Sequence, residues 1–499
     1  MTGFTQKRNL GAIKTFYRAI QTIKGLSVSK SLVERISSSG DSTGTPFYHF
    51  RWKLHNLADF VAYPETIESI QALLKNASKY KVSVTPRGSG SCYYGSGIPT
   101  NGGVVLDMKR MHQYEVDSTT MTVTVQTGMV FSNLMNILDR EGLELPCYPT
   151  SAYTTTIGGW IGTGGSMGVG TLQNGGFIDQ IVSMTVVSAT GEKKVLIKKS
   201  DMEVYFGTNG TMGVVVEVKL KLVQKPLNET AMNFGFDKRS SLLNCVQELV
   251  KKTDPFLLRF SDKGHEYRGT GFSRYNYYLF VIYKGRSKSL EDELKECSSI
   301  VNRYSGVYLG DLYSYRTWED YLKHEMKIKL DNPVLMLQQI YIPFEFTPNL
   351  IDKFMKLTRA GHLNHAFYGI INKDMNVRLV FYTPTDNDYW LHFIASKAAL
   401  HKLVKYAYHL GGRVYTYGLQ NTIYLHKYEK EKVKFLRKKK KELDPKFILN
   451  PLKVVNTKIS FRRIDVMFEL SYRWRVIAVQ LGLAKIILSV DLNQRYGGA

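Results

Sequence analysis

The sequence predicts an α+β protein of several domains, and three observations predict it. Residues 57–108 alternate short apolar strands with one amphipathic helix, giving a β-α-β-loop-β unit. Residues 227–425 mix further strands and helices and are dense in Tyr, Phe and His. The chain has 499 residues, 43% of them hydrophobic, too many for one ordinary core and enough for two or three.

The first 45 residues are basic and then rich in Ser, Gly and Thr, which predicts an N-terminal extension with a flexible joint. Leu57–Pro64 reads as a strand, and Thr66 as the N-cap of a helix with Ile67, Ile70, Leu73 and Leu74 in phase. The strand Val82–Thr85 then enters Pro86-Arg-Gly-Ser-Gly-Ser91. Gly88 and Gly90 let backbone N–H groups turn inward, Ser89 and Ser91 add hydroxyls, and Arg87 adds a fixed charge, a combination suited to cradling phosphate. Gly103–Met108 and the alternating residues from Met121 are strands, and Phe131–Glu141 a helix.

A second glycine-rich stretch, Thr156–Gly170, follows Pro149 and Thr150. Two such loops in one domain predict an elongated ligand with a diphosphate at its centre. Strands are expected over Gln180–Ala189 and Thr211–Leu222, and Lys225-Pro226 marks a boundary. In the next domain Tyr277–Tyr283 and Val377–Tyr382 read as strands, and Ser240–Lys252, Ser287–Tyr304 and Ala395–Leu410 as helices. His426–Lys446 carries ten Lys or Arg against four Asp or Glu, as one exposed helix would. Phe461–Leu488 places Met467, Leu470, Trp474, Ile477, Leu481, Ala484 and Leu488 at spacings of three and four, an amphipathic helix.

The net charge of +24 favours anionic partners, but no nucleic-acid module accompanies it, so nucleic acid is not expected. Cys92, Cys147, Cys245 and Cys297 are scattered without a C-x-x-C pair, and no metal site is expected. The N-terminus lacks an apolar signal core and no stretch reaches a membrane span. The expected location is the cytoplasm, with the inner face of the membrane as an alternative.

Four segments carry a resemblance: Pro86–Ser91 with Gly102–Met108, Pro149–Gly165, Asp201–Leu222 with its Phe206–Val215, and Leu443–Pro451. In this order they resemble the FAD-linked oxidase family, the vanillyl-alcohol-oxidase or PCMH-type flavoproteins, nearest the glycolate oxidase and D-lactate dehydrogenase branch. The resemblance implies a PCMH-type two-subdomain FAD-binding domain over 46–225, a mixed α+β substrate or cap domain over 226–425, a segment 426–457 returning to the FAD domain, and a helical tail over 458–499. It implies FAD held by Arg87, Gly88, Ser89, Gly90, Ser91, Pro149, Thr150, Thr156, Ile157, Gly158, Gly159, Gly162, Thr163, Val214, Val215 and Asn450. Ser91 stands where relatives with covalent flavin often place a histidine, so a non-covalent attachment is expected. Cys147 is read as a small buried residue.

The implied activity is hydride transfer from a hydroxy acid or another small alcohol to flavin N5, with electrons passed to an acceptor. The H-x-G-D-G-x-x-H and G-E-H-G motifs of D-2-hydroxy-acid relatives are absent, which puts a metal-assisted mechanism in doubt. The candidates for substrate chemistry are Arg413 as an anion partner and Tyr415 and Tyr417 as hydrogen-bonding phenols; His392, His401 and His409 are read as structural. The alternatives are an alkyl-glycerone-phosphate-synthase-like transferase using the same flavin fold, and a flavin subunit of a larger electron-transfer complex. The cationic stretch and the tail point to an anionic membrane face, to a redox partner protein or quinone, or to packing on the protein's own domain or on a second copy.

Overall fold

The first sheet is built from four short strands, β1 (Leu26–Ser29), β2 (Phe60–Pro64), β3 (Val84–Arg87) and β4 (Val104–Asp107), in the order β1-β2-β4-β3. The inner two, β2 and β4, are buried along nearly their whole length, as expected of strands covered from both sides. β4 runs parallel to both β2 and β3, and β1 antiparallel to β2. The protein is seen here in a computed structural model that describes residues 8–43, 56–271, 273–285, 287–331, 334–385, 390–457 and 461–481.

The crossover helix Ile67–Tyr80 starts where Thr66 predicts it, the Thr66 hydroxyl accepting the Ser69 N–H at 3.1 Å. It buries Ile70, Leu73, Leu74 and Ala77. The N-terminal residues differ from expectation. Helix Leu10–Ile20 lays Phe16 and Ile20 into this same core, and β1 extends the sheet, so residues 10–29 are part of the domain. Part of the expected joint, residues 44–46, lies outside the described residues.

A second sheet follows, of β5 (Tyr114–Asp117), β6 (Thr122–Gln126), β8 (Ile181–Val187), β9 (Lys193–Leu196) and β10 (Val214–Lys221), antiparallel throughout in the order β5-β6-β10-β8-β9. β7 (Leu143–Glu144) and β11 (Val223–Gln224) pair as a separate antiparallel ribbon. Burial alternates along β10, with Val214, Val216, Val218 and Leu220 inside.

The third unit is an antiparallel sheet of β12 (Asn228–Phe236), β13 (Leu257–Asp262), β14 (Tyr277–Gly285), β15 (Val307–Tyr308), β16 (Val334–Pro343), β17 (Ala366–Ile371), β18 (Asn376–Thr385) and β19 (Arg413–Val414). Its order is β15-β12-β14-β13-β17-β18-β16-β19. The tyrosine density of the sequence goes into this sheet, where Tyr278, Tyr283, Tyr368 and Tyr382 are buried. A buried polar cluster sits on one face. Arg259 pairs with Glu266 at 2.7 Å, Tyr382 Oη lies 2.7 Å from His265 Nδ1, and the His265 and His324 rings lie 4.5 Å apart.

The basic stretch expected as one exposed helix is two, Thr422–Tyr428 and Lys430–Leu443, broken at Glu429, and its Val433, Leu436 and Lys440 are buried. Beyond it the chain returns to the first sheet: Val84 N–H donates to Ile448 O at 2.9 Å and Asn450 N–H to Val84 O at 2.8 Å. The tail helix Phe461–Gln480 packs on helices Trp390–His409 and Thr347–Gly361. Ala484 and Leu488 lie outside the described residues. Among the described residues no helix is long and apolar enough to cross a membrane.

Candidate functional site

The loop after β3 meets the second glycine-rich loop directly. A Cβ on Gly88 would stand 2.1 Å from the Thr156 hydroxyl, so only glycine permits this approach. Thr156 accepts the Gly159 N–H at 3.1 Å and thereby caps helix Ile157–Thr163. Ser89 donates to Thr154 O, a further tie between the loops. The helix start is fixed from beneath by Ile157 N–H to Met129 O and Gly158 N–H to Thr127 O, both 2.9 Å.

A cleft opens along this seam, between the FAD half and the cap, holding about 1720 Å³ of non-protein space, solvent included. Arg87, Gly88, Ser89, Gly90, Ser91, Pro149, Thr150, Thr156, Gly158, Gly159, Gly162, Thr163, Val214 and Val215 all line it. Ile157 is buried beneath the wall, and Asn450 also stands off it. Asn450, with φ 40°, donates to Asn209 O at 2.6 Å and to Ser96 O at 3.2 Å and accepts from Lys453 at 2.5 Å. Its side chain therefore holds two wall loops in register rather than facing the cleft. Burial pushes the Lys453 ammonium down to about 7.

Arg87 folds over Gly90, whose φ of 73° suits glycine. Its guanidinium donates to Ser38 O at 3.1 Å, Ser37 O at 3.2 Å and Gly40 O at 3.0 Å, so it ties the N-terminal segment to the cradle. Its Nη1 is buried without a hydrogen-bond partner. Beside it Asp41 accepts the Thr43 N–H at 3.0 Å, and burial pushes its carboxyl up to about 6.

The cap supplies the other wall. Arg378, on β18, is buried and donates to Thr150 Oγ1 at 3.2 Å across the domain boundary, its guanidinium 5.3 Å from the centre of the Tyr415 ring. Tyr94 and Gln339 line the cleft beside it, joined by the Gln339 N–H to Tyr94 Oη at 2.9 Å. Helix Tyr321–Asp331 contributes Leu322, Met326 and Lys329, whose ammonium burial pushes down. Among the described residues lining the cleft there is no histidine, aspartate or glutamate.

Of the three substrate candidates, Tyr415 reaches the cleft. Its hydroxyl accepts from Met167 N at 3.0 Å and lies 3.1 Å from Met167 O. Arg413 and Tyr417 do not. Arg413 is exposed over the Tyr341 ring, 4.9 Å from its centre, and Tyr417 is buried between Glu429, 2.7 Å away, and Lys432, 2.9 Å away. The three lie two residues apart, which strand alternation would leave on one side, but β19 ends at Val414: beyond it Tyr415 and Thr416 line the cleft, and Tyr417 turns away to pack between Glu429 and Lys432. Arg378 was missed, although an arginine amid the apolar run Val377–Tyr382 is itself a signal of a buried charge with a task.

The wall suits a long anionic ligand with a flat part. At Gly162 an added Cβ would meet nothing closer than 3.8 Å, leaving bare backbone against open space. The charged groups on the wall are cations, and the buried Arg87 Nη1 and Asn209 Oδ1 lack partners, one a donor and one an acceptor. The residues present fit FAD, which the Gly88–Ser91 backbone, Arg87 Nη1 and the Gly158–Thr163 turn would hold.

Fold and cleft together define a flavin-dependent oxidoreductase. Residues 58–196 match the model of the FAD binding domain, and residues 225–454 that of the FAD linked oxidases, C-terminal domain. The chain belongs to the FAD-linked oxidase family and uses FAD as its cofactor. It is similar to the glycolate oxidase subunit GlcD of Bacillus subtilis, 25% identical over 80% of this chain and 89% of that one. Solved p-cresol methylhydroxylase shares the fold at TM-score 0.77 and 13% identity, over 91% of this chain and 98% of that one. Alkyldihydroxyacetonephosphate synthase does so at TM-score 0.73 and 20% identity, over 89% and 86%. The fold is thus the α+β, PCMH-type architecture that the four segments imply.

Proposed function

We propose that the chain oxidises a small 2-hydroxy acid, binding its carboxylate at Arg378 and presenting its carbinol carbon to a non-covalently held flavin. The observation that carries this reading is the position of Arg378, a buried cation on the cap side of the cleft that reaches Thr150 on the FAD side. A guanidinium held in place by Thr150 and Tyr415 is already shaped for a carboxylate, and the low-polarity surroundings strengthen the pair. The flavin, when bound, supplies hydride acceptance at N5.

The chain's own residues orient the substrate and screen it from water. Tyr415, tied to the Met167 backbone, serves as a rigid wall rather than a proton carrier. Lys329 lines the cleft and burial weakens its ammonium, which suits it to take the hydroxyl proton. The likeness to a glycolate oxidase subunit supports the substrate class. A second reading, a phosphate-bearing substrate as the name of the alkyldihydroxyacetonephosphate synthase neighbour suggests, is favoured by the purely cationic charge of the wall.

The test is anaerobic titration of the yellow protein with a panel of D- and L-2-hydroxy acids, the corresponding alcohols without a carboxylate, and a glycerone phosphate. Bleaching by a 2-hydroxy acid in the wild type, greatly slowed in Arg378→Met with its flavin content unchanged, supports the first reading. Bleaching that is equal in the variant, or confined to alcohols without an anion, overturns it. Release of flavin by acid precipitation checks the non-covalent attachment.

A further inference from the structure

The tail helix is held by the face opposite to its most regular apolar stripe. Inward, Asp465 lies 2.6 Å from Lys405 Nζ and 2.9 Å from His401 Nε2, and Glu469 pairs with Lys402. Tyr472 donates to Leu357 O at 2.7 Å and the buried Arg475 to Gly361 O at 3.1 Å. These contacts fix the rotation of the helix. They leave Val466, Met467, Leu470, Trp474, Ile477 and Leu481 pointing outward, each between 42% and 68% exposed.

We propose that this outward face docks the protein on an anionic lipid bilayer, with the helix lying in the plane of the surface. Charge chooses the occupant. The remaining exposed residues of the helix are Arg462, Arg463, Arg473 and Gln480, so the face combines six apolar side chains with three arginines and no acid. The two acids of the helix are both spent inward on lysines, which leaves the arginines free of neutralisation from their own helix. A second copy of the same face would bring arginine against arginine in a chain already at +24, and is disfavoured. A bilayer of anionic headgroups accepts all three arginines while the apolar side chains enter the acyl boundary, and Trp474 suits that boundary by having an apolar ring and one N–H. This inference is independent of what the cleft oxidises.

Sedimentation of the full-length holoprotein with vesicles of phosphatidylglycerol and phosphatidylcholine, against phosphatidylcholine alone, tests it. Pelleting with the anionic vesicles is expected, with partitioning about tenfold lower in Leu470→Glu/Ile477→Glu and lower again at high salt. The substituted side chains are exposed, so an unchanged circular dichroism spectrum will show the fold intact. A blue shift in fluorescence that Trp474→Phe removes would place the helix at the interface. Failure of the wild type to pellet, or equal pelleting of the double variant, overturns the proposal. So does a dimer in analytical ultracentrifugation that Leu470→Glu/Ile477→Glu dissociates, since the face would then be covered by a second copy. Removing residues 482–499 is expected to leave binding in place; loss of binding there, with none in the double variant, would assign docking to that segment and overturn the proposal.

Discussion

The two walls of the cleft are made in different ways. The FAD side comes from runs of neighbouring residues, Arg87–Ser91 and Thr156–Thr163, where each backbone N–H or missing side chain has its use within a few positions. The cap side takes Leu322, Gln339, Arg378 and Tyr415 from one helix, two strands and a strand exit, brought together by an antiparallel sheet whose order departs from that of the sequence. A cofactor bound largely through backbone needs a local loop geometry, whereas a substrate bound through side chains needs positions that only tertiary structure defines.

Breaking the FAD wall should cost most. In Gly88→Val the new Cβ falls 2.1 Å from the Thr156 hydroxyl and 3.3 Å from its Cβ, so either the cap of helix Ile157–Thr163 or the approach of the loops is lost. The expected result is protein that purifies colourless and binds added FAD at least ~100-fold more weakly, about 3 kcal/mol. Absorbance and flavin titration read it directly, and a fully yellow variant would show that the two loops need not touch.

The same contrast explains what the sequence disclosed. The loop residues were legible because glycine, proline and hydroxyl residues at fixed spacing have few other uses, and Thr66 marked its helix because capping is local. The tail was legible as an amphipathic helix but not in its orientation. Phe461, Ile464, Phe468 and Tyr472 form a second series at spacings of three and four, and what decides between the two faces is the pairing of Asp465 and Glu469 with lysines some 60 positions earlier. Helix Leu10–Ile20 was passed over for a like reason. Its Phe16 and Ile20 are a short signal in a basic segment, and the rings that Phe16 meets, Phe60 and Tyr80, lie far along the chain.

On the cap wall a smaller loss is expected. If Arg378 binds the substrate carboxylate as proposed, Arg378→Met removes a charge-assisted contact and leaves the glycine-rich loops intact, so kcat/KM should fall about 100-fold, near 3 kcal/mol, largely through KM. Arg378→Lys should recover only part, because an ammonium lacks the planar fork that Thr150 and the Tyr415 ring position. An equal fall in flavin content would show instead that Arg378 serves the cofactor side.

Acid should separate the two halves by stability. Burial holds His324 at about 3, and His265 also lies well below its usual range, chiefly through burial. Each takes up a proton on unfolding between its folded and unfolded values, so the unfolded state binds more protons and stability falls as pH drops below about 6.5. Asp262, pushed up to about 7 by burial, works in the opposite sense, binding its proton more readily in the folded cap. The buried histidines outnumber the aspartate, so a net loss of stability is expected as the pH falls from about 6 toward 4. Thermal melts across this range check it, and His324→Asn should flatten the slope.

The smallest effect should come from Arg413, and it sharpens the contrast most. Arg413 and Tyr415 are two residues apart, of chemistry equally suited to a substrate, yet one guanidinium lies exposed over the Tyr341 ring while the neighbouring phenol lines the cleft. If position relative to the cleft decides function, Arg413→Gln should change kcat/KM by less than about twofold and stability by no more than the ~0.5–1 kcal/mol of an exposed cation–ring contact. Tyr415→Phe, which removes the hydroxyl that meets Met167, should change KM several-fold with the flavin retained. Steady-state kinetics on the two variants compare them directly. A large loss in Arg413→Gln with Tyr415→Phe silent would mean that in the working enzyme Arg413, rather than Tyr415, stands on the cap wall.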